Sequence, residues 1–223
     1  MQTKLAYSKT GIVLSFFIIY QLIFAPTTLL VRINNQWLTL LLSIIMLSLA
    51  IGFIRYTYRM IQQIAPWQGY FIQANTNQLM LGISLLLLLL LQLGTTYLTT
   101  HQLVINSQNQ SENLKQLNHN PFLMGVIISL IAPILEELIF RGLFYKLLLA
   151  NISLNQLKKT TYFLMFFING LLFTIPHLTT LSWDWCAYLL MALIFSVNFL
   201  YYQSIQVPII LHIFNNLVAI LLC

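Results

Sequence analysis

Two adjacent glutamates inside an apolar segment are the residues of this sequence best suited to chemistry. Glu136 and Glu137 are two of only four acidic residues in the chain, and Arg141 follows four positions after Glu137. The apolar run around them, residues 121–141, is long enough to span a bilayer. A charged side chain at the bilayer centre costs about 3 kcal/mol or more, so it is retained mainly where it has partners and a function. The pattern therefore predicts a reaction centre at membrane depth.

The spacing of these three residues assigns them different tasks. Each helical residue advances by about 100°, so Glu137 and Arg141 share a face and can form an ion pair in the favourable acid-first order. Glu136 points about 100° away from Glu137 and is not committed to Arg141 by this geometry. We therefore predict one carboxylate held by Arg141 and a second facing a cavity, as a general base with an orienting partner requires. A structural charge cluster is the alternative, although one ion pair uses only one of the two glutamates.

Two later apolar segments each supply an imidazole. His177 follows Phe173 and Pro176, and His212 precedes Asn216 by four residues. On a helix, His212 and Asn216 lie about 40° apart on one face, whereas Asn215 lies about 60° off on the other side and is the weaker candidate. A single histidine in an apolar helix is more often a core residue than a catalyst. Three helices that each bring polar groups into hydrocarbon favour a shared site instead.

The composition places these motifs in a membrane protein. Hydrophobic residues make up 59% of the chain and charged residues 6%, where soluble domains carry about 25% charged residues. The net charge of +6 is scattered at segment ends rather than gathered in a patch. This distribution favours orientation against anionic lipid and argues against nucleic-acid binding.

We predict an all-α integral membrane protein, a bundle of about seven to eight transmembrane helices with a buried catalytic cavity. Residues 1–223 are expected to form a single polytopic domain, with motif-bearing helices at about 121–223 and accessory helices at about 10–98. Segment 60–76 is expected to lie at the membrane interface, residues 100–120 to form the outer loop, and Asn169 and Asn198 to make interhelical hydrogen bonds. The predicted spans are roughly 10–31, 36–56, 78–98, 124–149, 161–180, 183–202 and 205–223.

The basic residues predict the orientation of these spans. With the N-terminus inside, the outer segments contain Arg32 and Lys115, and the inner segments contain Lys4, Lys9, Arg55, Arg59, Lys146, Lys158 and Lys159. Because positive charge accumulates in cytoplasmic segments, we expect a cytoplasmic N-terminus.

The ordered set of motifs resembles a known family. Glu136-Glu137-x-x-x-Arg141, Phe173-x-x-x-His177 and His212-x-x-x-Asn216, each in an apolar segment, look like the CPBP family of CAAX-type endopeptidases and bacteriocin-processing or self-immunity membrane proteins, also called Abi. The resemblance covers about residues 121–223.

The resemblance implies a function and a role for each motif residue. It implies an intramembrane endopeptidase that acts on a bacteriocin-like peptide, a secreted peptide or a membrane protein, in a bacterial cell membrane. Glu136 would activate water, His177 would assist, His212 and Asn216 would stabilise the oxyanion, and Glu137 with Arg141 would brace the site. The family is often classed with metallopeptidases, so Glu136, His177 and His212 are also candidate zinc ligands, with water as the fourth.

Two other functions fit the same residues. A non-proteolytic immunity or scaffold protein could use the buried polar network for stability and bind a bacteriocin without hydrolysis. A proton-coupled transporter could use intramembrane Glu, His and Arg as a relay. The sequence has no paired repeats and no matching glycine-interrupted helices, which argues against the transporter.

Overall fold

The computed structural model describes residues 2–30, 33, 35–63, 78–104, 108–149, 158–177 and 184–222. Within these ranges all regular elements are helices, which confirms the predicted all-α class. They are α1 (Gln2–Phe24), α2 (Pro26–Leu30), α3 (Gln36–Gln63), α4 (Gln78–Thr100), α5 (Gln108–His119), α6 (Pro121–Val126), α7 (Ala132–Glu137), α8 (Phe144–Leu149), α9 (Lys159–Thr174), α10 (Asp184–Tyr202) and α11 (Gln206–Leu222).

Each of the seven predicted spans overlaps a helix among the described residues. By length and composition, five stretches could cross a membrane: Gly11–Leu30, Gln36–Gln63, Gln78–Thr100, Pro121–Leu148 and Trp185–Tyr202. The other two predicted spans correspond to shorter helices, the 16-residue α9 and the 17-residue α11. The membrane bundle is therefore confirmed, whereas five of the seven predicted spans have full crossing length among the described residues.

One predicted boundary was wrong, and one predicted loop contains a helix. Helix α3 continues to Gln63, seven residues beyond its predicted end at 56, and the rest of the predicted interface segment lies outside the described residues. The predicted outer loop contains the helix α5. Its residues are polar, so a search for apolar spans could not find it.

The chain divides into two compact units. The first consists of Met1–Pro66 and Lys115–Asn151, and the second consists of Trp67–Leu114 and Ile152–Cys223. A single membrane domain over residues 1–223 stays a prediction.

The first unit is built around a long, irregular helix. Residues Pro121–Leu148, here called the motif helix, contain α6, α7 and α8 joined by two π-helical segments, Ile127–Ile131 and Leu138–Leu143. Helices α1 and α3 both pack against its second half. In its most apolar 18-residue stretch, 56% of the motif helix is buried, against 22% for Gly11–Leu30, so it is the interior helix of this unit.

A contact near the end of α3 fixes that helix against the motif helix. The ammonium group of Lys146 donates a hydrogen bond to the backbone carbonyl of Ile61. A Cβ atom on Gly142 would lie 2.6 Å from Cδ1 of Ile61, so glycine permits the close approach of the two helices. Lys146 is buried, and it is therefore part of the helix packing rather than a charge of a cytoplasmic loop.

Helix α10 is the centre of the second unit. It packs against α4, α9 and α11. Asn169 of α9 accepts a hydrogen bond from Ser196 at 3.0 Å, and Asn198 donates to Ser84 of α4 at 2.8 Å. Both asparagines were predicted to make interhelical hydrogen bonds, and both do.

Candidate active site

The carboxylate of Glu137 is held by Arg141, as the spacing predicts. Nη1 of Arg141 donates to Oε1 of Glu137 at 2.9 Å, and both side chains are fully buried in the first unit. Removing either partner of a buried ion pair leaves an uncompensated charge in a low-dielectric surrounding, which is costly. The ion pair therefore holds the adjacent backbone and side chains in one arrangement.

Glu136 has a different partner from another helix. The hydroxyl of Tyr20, on α1, donates a hydrogen bond to Oε1 of Glu136. Both side chains are buried, with exposed fractions of 8% for Tyr20 and 6% for Glu136. Each of the two adjacent glutamates thus accepts a hydrogen bond from a different group, Glu137 from a guanidinium and Glu136 from a phenol. The predicted pairing of Glu137 with Arg141 is confirmed, and the cavity that Glu136 is expected to face stays a prediction.

Aromatic packing fixes the ring of Tyr20. Its centroid lies 5.2 Å from that of Phe24 and 6.0 Å from that of Phe17, both on α1. Phe17 also contacts Phe140 of the motif helix at 5.6 Å. These tilted arrangements are among the favourable geometries for aromatic pairs. The position of the Tyr20 hydroxyl is therefore set by packing along both helices.

His177 lies in the second unit, in a short 3-10 turn, Ile175–His177, that ends α9. Its Nδ1 donates to the backbone carbonyl of Phe173 at 2.8 Å. In a neutral ring, a proton on Nδ1 makes Nε2 the basic nitrogen. The imidazole stacks on Phe173 at 5.0 Å and on Tyr188 at 4.9 Å. The ring is therefore oriented with its tautomer set, as an assisting base or a ligand requires.

His212 lies on α11 and is buried in the same unit. Its ring stacks on Phe195 of α10 at 4.7 Å and meets the edge of Phe173 at 5.6 Å. Phe173 thus contacts both imidazoles, so the second unit brings His177 and His212 around one aromatic ring. The phenylalanine of the Phe173-x-x-x-His177 motif positions both histidines by packing.

A chain of amide groups leads to Asn216. Gln92, on α4, donates from Nε2 to Oδ1 of Asn215 at 2.9 Å. Asn215 in turn donates from Nδ2 to Oδ1 of Asn216 at 3.2 Å and to the sulfur of Met191 at 2.9 Å. Oδ1 of Asn216 accepts this hydrogen bond, which places the NH2 group of the same amide on the opposite side. The orientation of Asn216 is therefore set from a neighbouring helix.

Two of these residues were not identified from the sequence, and a third was named there only as the weaker candidate. Tyr20 and Gln92 belong to helices without a motif, and their contacts span 116 and 123 residues, which no local pattern reveals. Asn215, named from the sequence as the weaker candidate, is buried and connects Gln92 to Asn216. A polar side chain on an apolar helix was the available signal for all three.

The six predicted residues divide between the units. The first unit contains Glu136, Glu137 and Arg141, and the second contains His177, His212 and Asn216. Only the ion pair Glu137–Arg141 is confirmed as a contact; the catalytic roles stay predictions.

The zinc prediction concerns three of these side chains. Glu136, His177 and His212 have the donor types that zinc binds. Among the described residues, no group of three His, Cys, Asp or Glu side chains is close enough to hold a metal ion. Zinc binding stays a prediction, and no step of the mechanism below is routed through a metal.

Comparison with known proteins supports the resemblance. Residues 118–218 match a family model described as Type II CAAX prenyl endopeptidase Rce1-like. The match contains all six predicted site residues and covers just under half of the chain. Comparisons with curated proteins and with solved structures gave no match. The match supports the predicted resemblance to CAAX-type proteases over residues 118–218, and the apolar helices indicate a multi-pass membrane protein.

Proposed function

We propose that this chain, a member of the Rce1-like family of CAAX-type endopeptidases, hydrolyses a peptide bond in a membrane-associated or bacteriocin-like peptide or protein. The observation that carries the proposal is the pair of adjacent carboxylates in unlike surroundings, Glu137 with Arg141 and Glu136 with Tyr20. Such unlike environments are what two carboxylates need in order to take different roles in one reaction. We further propose that the chain acts in a bacterial cell membrane.

In the proposed reaction, Glu136 accepts a proton from water while the water oxygen attacks the carbonyl carbon of the scissile bond. His177, through Nε2, accepts a hydrogen bond from the same water. The tetrahedral intermediate carries a negative oxygen, which accepts hydrogen bonds from the His212 imidazole and from the NH2 group of Asn216. The proton held by Glu136 then passes to the leaving amine as the C–N bond breaks.

The charged pair Glu137–Arg141 has a supporting role in this scheme. It has no proton to transfer in the steps above. It fixes the helical turn that carries Glu136, and both side chains are fully buried. A base held to within a fraction of an ångström needs such support, since a displacement of about 1 Å can cost about 100-fold in rate.

The proposal is tested by proteolysis of a membrane-tethered peptide library with the purified protein in liposomes. Wild type is expected to cleave, and Glu136→Gln, which keeps the shape but not the base, to lose about 100- to 10,000-fold in rate. The matched control is Glu112→Gln on α5, which makes the same change outside the candidate site and is expected to retain wild-type cleavage.

Two results would contradict parts of the proposal. Cleavage by Glu136→Gln at the wild-type rate would exclude Glu136 as the base. Absence of cleavage by folded wild type, together with bacteriocin protection that survives Glu136→Gln, would favour the non-proteolytic immunity function. A chelator arm tests zinc separately: loss of cleavage that added Zn²⁺ restores would assign a metal to the reaction.

A further inference from the structure

We propose that Tyr20 is a positioning residue for Glu136, and that α1 thereby forms part of the catalytic machinery. This inference rests on the proposed function of Glu136 as the base. It goes beyond that function because Tyr20 lies outside the matched segment 118–218, on a helix that carries none of the motifs.

The contact is a specific polar interaction in an apolar region. The hydroxyl of Tyr20 donates to Oε1 of Glu136, and the two residues are 116 positions apart in the chain. A buried tyrosine hydroxyl needs a hydrogen-bond partner, because leaving it unsatisfied is costly. The partner that Tyr20 finds is the carboxylate of Glu136, the proposed base.

The hydrogen bond limits the motion of the Glu136 carboxylate. The last torsion of a glutamate side chain joins an sp³ to an sp² carbon and is broad, so packing alone leaves the carboxylate plane able to rotate. A donor fixed at Oε1 removes that freedom. The donor is itself fixed, because the Tyr20 ring packs against Phe17 and Phe24. The carboxylate is therefore oriented before substrate binds.

The same packing links the position of the hydroxyl to the motif helix. Phe17 contacts both Tyr20 and Phe140, and Phe140 lies four residues after Glu136. A displacement of α1 would therefore move the hydroxyl donor and the apolar contact together. This arrangement explains why positioning from α1 can be accurate: one helix contributes both the hydrogen bond and the packing that aims it.

The experiment compares Tyr20→Phe with Tyr56→Phe in the liposome assay. Tyr20→Phe keeps the ring and removes the donor, so kcat is expected to fall about 10- to 100-fold while KM stays within about twofold, because orientation acts on the reacting step. Tyr56 of α3 stacks on Phe16 and is 59% exposed. Tyr56→Phe removes the same hydroxyl group, and it is expected to leave kcat and KM unchanged.

A second measurement does not depend on catalysis. Thermal unfolding of Tyr20→Phe, Glu136→Leu, which removes the acceptor, and the double variant forms a cycle for the contact itself. The Tm shifts of the two single variants are expected to exceed, when added, the shift of the double variant, because either change alone breaks the same hydrogen bond. Additive Tm shifts would overturn the contact and with it the proposal.

The two proposals fail in different ways. If Tyr20→Phe keeps the wild-type kcat while Glu136→Gln is inactive, the positioning role is overturned and the proposed function stands. If Glu136→Gln keeps the wild-type rate, the proposed function fails whatever Tyr20→Phe does. A residue that only packs would change Tm and leave the kcat of the folded enzyme unchanged, which would also overturn the positioning role.

Discussion

Glu137 and Arg141 show how a local pattern can predict a contact at the scale of single residues. Their spacing of four on a helix predicts the ion pair, and the pair forms at 2.9 Å. The Tyr20 contact of Glu136 obeys no such rule, because it depends on how α1 packs against the motif helix. Contacts within one helical turn could thus be predicted from the sequence, whereas contacts between helices required the fold.

The buried ion pair leads to a prediction about stability. Arg141→Met leaves Glu137 buried without its cation and is expected to destabilise the protein by about 3–5 kcal/mol. The double variant Arg141→Met with Glu137→Leu is expected to recover most of this loss, because an apolar pair of similar volume avoids the desolvation cost.

Thermal unfolding of the two variants in detergent is monitored by circular dichroism, and their Tm values are compared with that of the wild type. Arg59→Met, at an exposed position of α3, is the matched control and is expected to change Tm little. A double variant with a Tm well below that of Arg141→Met would contradict this prediction. It would show that the ion pair itself is required, rather than only the absence of an unpaired buried charge.

At the scale of elements, the second unit positions Asn216 from a helix that carries no motif. Gln92 of α4 reaches Asn216 through Asn215 by two amide hydrogen bonds. The sequence predicted α4 as a span and α11 as the carrier of Asn216, but it could not predict which faces of the two helices meet. The polar positions of an otherwise apolar helix are informative only once its neighbours are known.

Gln92→Leu tests this amide chain. The change keeps approximate volume, removes the donor to Asn215, and is expected to lower kcat about tenfold or more by releasing the orientation of Asn216. Gln78→Leu, at the exposed start of the same helix, is the control. Full activity in Gln92→Leu, with Asn216→Ala inactive, would show that Asn216 is oriented without α4.

At the scale of the whole molecule, each of the seven apolar segments predicted from hydropathy contains helix among the described residues, and five of them are long enough to cross a membrane. The positions of the basic residues predicted the orientation of the helices less directly. Lys146 was counted among the cytoplasmic charges, yet its ammonium group is buried and bound to the carbonyl of Ile61. The remaining inner basic residues still outnumber Arg32 and Lys115, so a cytoplasmic N-terminus stays a prediction.

Cysteine labelling of intact cells checks this orientation. In a variant without Cys186 and Cys223, a membrane-impermeant maleimide is expected to label Asn118→Cys from outside. Lys158→Cys is expected to react only after the membrane is permeabilised. The reverse pattern would place the N-terminus outside.

The two π-helical segments of the motif helix have a consequence for the length of the chain. Each π turn accommodates one residue more than an α-helical turn, so removal of one residue from Ile127–Ile131 would restore regular winding. Because the π turn absorbs the extra residue, residues before the deletion would keep nearly the same direction relative to Glu136. Leu123 and Met124, which now pack with Leu30 and Met46, would therefore keep that contact. A relative that is one residue shorter here, with a regular α-helix, should bury the same apolar set, whereas the same deletion within the α-helical part of the segment would turn that set away.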